Sequence, residues 1–289
     1  AQWLKATPAL AHWKPRDQIA IAAAEAVRMP GKEANFRQRY LNQRVNPYST
    51  LISQSAWKSC RKDYSFALGE PVYLALDMSA RDDLTALVMI SAGTDARVKA
   101  WFWKPEDVIA EHTKRDGVRY DVFAKTETLI AAPGAMITAT SIVSKLVEIC
   151  TDYDVLGLAY DPWGARDFPK YLDEQGLVAV DTYAGPGTLR MVPWRQGYMT
   201  MSPSVTAFEE AILTGALQHD GNPILTMCVM NALVKKDEAG NRKLDKSKSR
   251  FKIDGAVALA MALGLKSSEV PIGAFVSPWE DPNYRMPVL

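Results

Sequence analysis

The feature that most constrains this chain is a short apolar run that ends in an acid. In residues 71–77, PVYLALD, Val72, Leu74 and Leu76 alternate with Tyr73 and Ala75, so both faces of the run are apolar. Such a run, bounded by turn residues, predicts a buried strand. It stops at Asp77, and a charge at the end of a buried strand is costly unless something neutralises it. A polar turn over 78–83 follows, and then a second β-prone run over 84–91. Two readings of Asp77 are open at this point. It can open the turn through local backbone hydrogen bonds, or it can bind a metal or a cationic partner.

The rest of the chain must supply enough core to bury that strand. At 289 residues it predicts one large domain, or one domain with an appendage. With 48% hydrophobic and 23% charged residues the composition is that of an ordinary globular protein. The longest apolar-and-glycine run, 255–265, falls well short of the roughly 18 residues that read as a membrane span. The N-terminus lacks the basic-then-apolar pattern of a signal peptide. Ala1 stands where an initiator Met would, so the expectation is a processed or excised piece of something longer. Cys60, Cys150 and Cys228 are widely spaced and odd in number, which predicts buried thiols in a reducing cytosol rather than disulfides or a thiolate metal site.

The net charge of +1 conceals an asymmetry. Residues 1–70 carry 11 basic and 5 acidic side chains, residues 71–230 carry 13 and 21, and residues 231–252 carry 8 and 3. An acidic body flanked by basic segments suits a protein that gathers carboxylates around a cation and holds a polyanion at its edges. A solvated loop would leave the same signature.

Read in order, residues 1–69 predict helices, one capped by Pro15 and ending near Pro30-Gly31 and another over 32–41, acting as a connector. Composition changes at Gly69, and a domain boundary is expected there. From residue 71, strands over 71–77, 84–91 and 98–103 with short turns predict an antiparallel meander. Helices are expected over 105–116, 120–130 and 141–152. A strand over 155–160 ends in a second acid, Asp161, before Pro162-Trp163-Gly164 and a helix over 165–175. A strand is expected over 177–183, a loop over 186–204, then helices over 204–213 and from Asn222-Pro223 to 231. The basic segment 233–250 contains a hairpin turn at 238–241, and a helix rich in Ala and Gly spans 252–265 with Asp254 in its first turn. The strand–helix–strand alternation adds parallel strands to the meander. The fold class expected is therefore α/β, a mixed sheet flanked by helices with a helical extension in front, and residues 269–289 are expected to be extended or disordered.

Three acids stand out by position: Asp77 at the first strand end, Asp161 at the fourth, Asp254 at the start of the last helix. If the two strands are parallel neighbours, both tips lie at one edge, and a helix packed across the sheet can add its own N-terminal acid. Three carboxylates at one point repel one another and would be neutralised unless cations intervene. Hard oxygen ligands select Mg²⁺ or Mn²⁺, and two such ions serve in-line attack on a phosphodiester. Each acid also has a plainer reading. Asp161 can cap the helix after Pro162, and Asp254 can complement a helix dipole beside Lys252 or Arg250.

The segments LALDMSARDDLTALV, AYDPWGARDFPKYLDEQG, QGYMTMSPSVTAFEEAILTGALQHDGNPILTMCVMNALV and KSRFKIDGAVALAMALG resemble, in sequence and order, the nuclease domain of the large terminase subunit of tailed double-stranded DNA phages. This family belongs to the RNase H-like superfamily, and the resemblance covers about residues 70–266, with 1–65 similar to the end of the family's ATPase region and linker. It implies a metal-dependent endonuclease that cuts concatemeric double-stranded DNA in the host cell cytoplasm, using two Mg²⁺ or Mn²⁺ ions, with the terminase small subunit and the head portal as partners and no membrane. Carried over by position, Asp77, Asp161 and Asp254 take catalytic and metal-ligand roles, and Asp83 matches a further acid able to reach the same ion. Lys235, Lys236, Arg242, Lys243, Lys248 and Arg250 fall on the hairpin beside the active site that meets DNA, and His219 and Asn222 match as supporting or structural groups. No GxxxxGK[ST] phosphate loop occurs, so the chain is expected to lack the ATPase. The rival readings are a non-catalytic docking module of the packaging motor and another nuclease of this fold such as a resolvase. An actin-like phosphotransferase is excluded, because Met78-Ser79-Ala80 offers no glycine in the turn.

Overall fold

The computed structural model describes residues 3, 6, 15–28, 30–43, 51–79, 84–162, 168–247, 249 and 251–269. In chain order these form α1 (Arg16–Arg28), α2 (Pro30–Leu41) and α3 (Gln54–Ser59), then the strands β1 (Pro71–Asp77), β2 (Thr85–Ser91) and β3 (Ala96–Pro105). There follow α4 (Glu106–Asp116), α5 (Tyr120–Lys125), β4 (Ile130–Ala132), α6 (Ala139–Asp152), β5 (Asp154–Tyr160), α7 (Phe168–Glu174), β6 (Val178–Val180) and β7 (Thr188–Pro193). The chain then builds α8 (Tyr198–Leu213), β8 (Leu217–His219), α9 (Pro223–Asn231), the hairpin β9 (Val234–Lys236) and β10 (Arg242–Leu244), and α10 (Asp254–Ser268).

The main sheet runs β4-β3-β2-β1-β5-β7-β6, with β8 also paired to β3. β1, β2 and β3 form the antiparallel meander, while β5 lies parallel to β1 on its other side. The expected mixed α/β sheet is therefore present. Side-chain alternation along β1 sorts the two faces. Val72, Leu74 and Leu76 point into one apolar core with Leu146 and Ile149 of α6 and Phe168 and Leu172 of α7. Tyr73 and Ala75 point into the other, with Ala86, Phe102, Val205 and Phe208 of α8 and nearly all of α10. Asp77 has the parity of Tyr73 and Ala75, so it belongs to the face that α10 covers. That parity, set by the pleat, decides where its charge goes.

α10 can lie close because its glycines leave room. A Cβ at Gly255 would sit 2.8 Å from the Phe102 ring, and one at Gly264 would sit 2.2 Å from Ser204 Oγ and 2.8 Å from Trp194. Elsewhere local chemistry sets the ends of elements. Asn222 caps α9 by accepting from the N–H groups of Ile224 and Leu225, each at 3.0 Å, with Pro223 beginning the helix. Gly117 closes α4 at φ 66°, where a side chain would be strained.

Several sequence-based expectations differ from the structure. The segment 186–204, expected to be loop, contains β7 and the first turns of α8, which starts at Tyr198 and carries Pro203 in its interior. The helix survives the proline's missing hydrogen bond because Ser204 accepts from the Trp194 indole at 3.2 Å and Val205 and Phe208 are buried against α10. The helix expected over 120–130 ends at Lys125, and Ile130–Ala132 adds β4 beside β3. The strand expected over 177–183 is limited to Val178–Val180. Because β4 intervenes, Asp161 follows the fifth strand rather than the fourth. The chain just ahead of Gly69 supplies core to the sheet: Leu51, Ile52, Trp57 and Cys60 are buried in the cluster that includes Tyr73 and α10. Cys60 and Cys228 are buried thiols and Cys150 is partly so, as expected. Asp83, Lys248, Arg250, the tail from residue 270 and the first part of the helix expected over 165–175 lie outside the described residues.

A candidate metal site beside the basic hairpin

Register alone brings two of the acids together. Leu76 pairs with Tyr160 across the parallel β1–β5 ladder, so the next residues, Asp77 and Asp161, leave neighbouring strands at the same edge. Ala159 faces the α10 side, and alternation puts Asp161 on that side too. The third acid comes from above. Asp254 is the first residue of α10, where the positive end of the helix dipole favours a carboxylate. Asp77 and Asp254 are 3% and 2% exposed, whereas Asp161 is half-buried.

The two buried carboxylates share a cation from the chain itself. Lys246 Nζ lies 2.7 Å from Asp77 Oδ2 and 3.0 Å from Asp254 Oδ1. The other oxygen of Asp77 accepts from the Gln196 side-chain amide at 2.9 Å. Lys246 is presented by a tight turn that follows β10. The Asp245 N–H donates to the Leu233 carbonyl at 2.8 Å, and Asp245 Oδ1 accepts from both the N–H and the hydroxyl of Ser247. Gln196 is fixed by its neighbour, since the Trp194 N–H donates to the Tyr160 carbonyl at 2.7 Å.

Opposing influences act on these charges. Burial pushes the Asp77 carboxyl above its ordinary range, Lys246 and Gln196 pull it down, and the charge of Asp161 pushes it up again. Burial works against the Lys246 ammonium, yet Asp77 and Asp254 outweigh it and hold that group protonated beyond the usual lysine range. Positive charge on Lys246 is thus favoured beside the two carboxylates, while the Asp77 carboxyl stays above its ordinary range. Buried carboxylates without a cation take up protons, so a cation is what lets this pair carry charge.

The donor set consists of hard oxygens, the kind that bind Mg²⁺ or Mn²⁺. Among the described residues no three carboxylate, His or Cys groups lie close enough together to form a complete cage. Mg²⁺ does not need one, because it retains waters and is commonly held by one or two carboxylates together with substrate phosphate. Asp77 and Asp254 fit that requirement, with Asp161 at the adjoining strand end.

The residues expected to meet DNA divide. Lys235 and Lys236 are exposed on β9, and Lys243 lies 4.9 Å from the Tyr198 ring centroid at the start of α8. Arg242 is committed to the fold: its guanidinium bonds Glu209 at 2.6 Å and the Thr206 hydroxyl at 2.9 Å. His219 and Asn222 stand away from the acids. His219 stacks on Trp57 at 3.9 Å, its Nε2 meets the Trp57 carbonyl at 2.8 Å, and its Nδ1 accepts from the Gly221 N–H at 3.1 Å. Both groups hold α3, β8 and α9 together. Sequence reasoning missed Lys246 and Gln196. Lys246 is one basic residue in a basic run and Gln196 lies in an apparent loop, and neither position carries a local signal of what it touches.

Residues 1–269 match the family described as terminase large subunit, endonuclease domain. The chain is 40% identical over 270 residues to the large terminase subunit of Enterobacteria phage HK97, covering 93% of this chain and 51% of that protein. It is 28% identical over 246 residues to protein YmfN of Escherichia coli (strain K12), covering 79% of this chain and 51% of that one. The crystal structure of the HK97 large terminase superposes with a TM-score of 0.68 at 39% identity, over 91% of this chain and 53% of that one. The chain spans about half the length of the curated relatives it matches. On the extent of these matches, the chain belongs to the terminase large subunit endonuclease domain family.

Proposed function

We propose that this chain is a metal-dependent endonuclease that hydrolyses phosphodiester bonds of concatemeric double-stranded DNA during phage genome packaging. The observation that carries the reading is the pair of buried carboxylates, Asp77 and Asp254, drawn onto one cation position at the sheet edge where Asp161 also emerges. When bound, Mg²⁺ or Mn²⁺, two ions during hydrolysis, would supply the Lewis acidity that attack on phosphorus needs.

The chain's own residues do the remaining work. Asp77 and Asp254 hold positive charge at a fixed point, and Gln196 keeps Asp77 oriented by holding its second oxygen. Asp161, half-buried at the neighbouring strand end, extends the anionic edge toward solvent, where a further cation can be shared. α10 seals the site from behind, because Ala256, Val257 and Ala258 are buried against the sheet and exclude water from that side. Lys235, Lys236 and Lys243 draw the polyanion to the rim, so the strength of DNA binding is expected to fall steeply with salt. Lys248, Arg250 and Asp83 belong to the same proposal by their positions in the sequence.

In this reading residues 70–268 form the nuclease unit, with the buried side chains of Leu51, Ile52, Trp57 and Cys60 packed into its core, and 1–69 lead back to the motor portion of a longer terminase. Its partners are double-stranded DNA, the small terminase subunit and the head portal, and it works in the host cell cytoplasm. No helix among the described residues is long and apolar enough to cross a membrane.

The direct test is incubation with supercoiled plasmid and Mn²⁺ at low salt. Nicked and linear products are expected. An Asp77→Asn variant should retard the same DNA without cutting it. Plasmid left supercoiled by the wild-type chain would count against the proposal.

A further inference from the structure

We propose that Lys246 is the resident occupant of a divalent-cation position, and that its transfer to a DNA phosphate makes metal loading and DNA binding reinforce each other. The proposal rests on the metal-dependent reading above and goes beyond it by assigning a competitor for the site and a trigger that removes it.

The geometry makes the two cations mutually exclusive. Lys246 Nζ takes one oxygen from Asp77 and one from Asp254 at hydrogen-bond distance. A divalent ion held by the same two carboxylates needs those oxygens, and an ammonium left beside it would meet a like charge in a poorly solvated pocket. Either the lysine leaves or the ion does not enter.

Departure is feasible because it is a side-chain movement. The backbone of Lys246 is pinned by the Asp245 hydrogen bonds to Leu233 and Ser247, and the Ser249 hydroxyl donates to the Asp245 carbonyl at 2.7 Å. The side chain itself is 38% exposed, although the two carboxylates it bridges are buried. Its flexible four-carbon stem can swing the ammonium outward while the hairpin stays in place.

The direction of the swing supplies the coupling. The turn that carries Lys246 directly follows β10, whose partner strand displays Lys235 and Lys236 to solvent. A DNA backbone drawn to those lysines passes beside Lys246 and offers its ammonium a phosphate in exchange for the carboxylates. Each ligand therefore removes an obstacle to the other, and linkage requires the two effects on affinity to be equal. Without DNA, the protein's own cation competes with divalent ions for the same oxygens and weakens their binding.

The test uses the wild-type chain and needs no cleavage readout. Limited acylation with acetic anhydride, mapped by peptide mass spectrometry, should find Lys246 slow to react compared with Lys235 and Lys236. Adding Mn²⁺ should raise the Lys246 rate at least about fivefold, the lower end of ordinary coupling, and leave Lys235 and Lys236 unchanged. In parallel, free Mn²⁺ is counted by electron paramagnetic resonance. A Lys246→Met variant should bind Mn²⁺ at least about fivefold more tightly than wild type, and a short duplex should raise affinity in wild type alone. Mn²⁺ binding with Lys246 still protected overturns the inference by itself, and the labelling result decides even if the variant does not fold. No Mn²⁺ binding by the wild-type chain, with or without duplex, overturns both this inference and the proposed function.

Discussion

Replacing Asp77 with Asn distinguishes a carboxylate that exists to hold an exchangeable cation from one that exists to hold the fold. Removing one partner of a purely structural buried pair costs about 3–5 kcal/mol, because the surviving charge is left alone. Lys246 would not be left alone here, since its ammonium also lies 3.0 Å from Asp254. The substitution removes one of two buried like charges and leaves a neutral ammonium–carboxylate pair. The new amide keeps one oxygen for Lys246, and Gln196 keeps a partner when its own amide turns over to accept from the new NH₂ group. Charge-assisted hydrogen bonds then become neutral-acceptor ones, a loss of about 1–2 kcal/mol. Against it stands the relief of a charge that burial already disfavours. The opposing effects are similar in size, so stability without divalent ions should change by no more than about 1 kcal/mol. Mn²⁺ at about a hundred times its dissociation constant should then stabilise the wild-type chain by about 2.7 kcal/mol and the variant by much less. Urea unfolding of both proteins with and without Mn²⁺ measures all four values. A metal-free loss above about 3 kcal/mol, or equal Mn²⁺ stabilisation of the two proteins, would refute the reasoning.

Gly264→Ala should destabilise the protein by about 1–3 kcal/mol, because its Cβ would lie 2.2 Å from Ser204 Oγ and dislodge the hydroxyl that holds Trp194; an unchanged urea midpoint would contradict that. Lys235→Ala and Lys236→Ala should each lower the slope of log affinity against log salt by about 1. Arg242→Ala should leave the slope alone and cost about 1 kcal/mol of stability, since Glu209 and Thr206 hold that guanidinium; equal slope changes for all three would mean that Arg242 reaches phosphate. Burial lowers the pKa of His219 below the usual histidine range, and its Nδ1 already receives the Gly221 N–H. The unfolded chain therefore binds more protons between the folded value and about 6.5. The contribution is complete above that range and is lost as pH falls through it, so wild type should lose more stability between pH 7.5 and pH 5 than His219→Gln does. Identical losses would assign the effect to another group.

What the sequence made legible depends on how local the cause is. The β1 strand and its acid are written in seven consecutive residues, and the α9 cap in Asn222-Pro223. The meander followed from short turns, and the hairpin from Gly240 between basic strands, because hydrogen-bond partners close in sequence leave close signals. β7 and the start of α8 were hidden by Gly185, Gly187, Pro193 and Pro203, a punctuation that reads as loop. Their stability comes from elsewhere: β7 pairs with β5 through Met191 and Val192, and α8 is held by α10. The partnership of Trp57 with His219 crosses 162 positions, and no local pattern could report it.

The same distinction explains why the acids were visible and their cation was not. A carboxylate at the end of an apolar strand breaks a pattern, so Asp77 and Asp161 announce themselves. Lys246 breaks nothing, for it sits among other basic residues and reaches Asp77 across 169 positions. Its importance lies in charge balance rather than in sequence. Two carboxylates at 3% and 2% exposure cannot both remain ionised in a dry site, and a protein that waited for an external ion to supply that balance would be least stable when metal was scarce. A lysine on a neighbouring turn removes that dependence, and it does so at the cost of blocking the oxygens a divalent ion must use. In the proposed exchange an ammonium would bind through one charge and a divalent ion through two, so the balance would favour the ion once a phosphate had taken the lysine, and the labelling and Mn²⁺-binding measurements test that order of events.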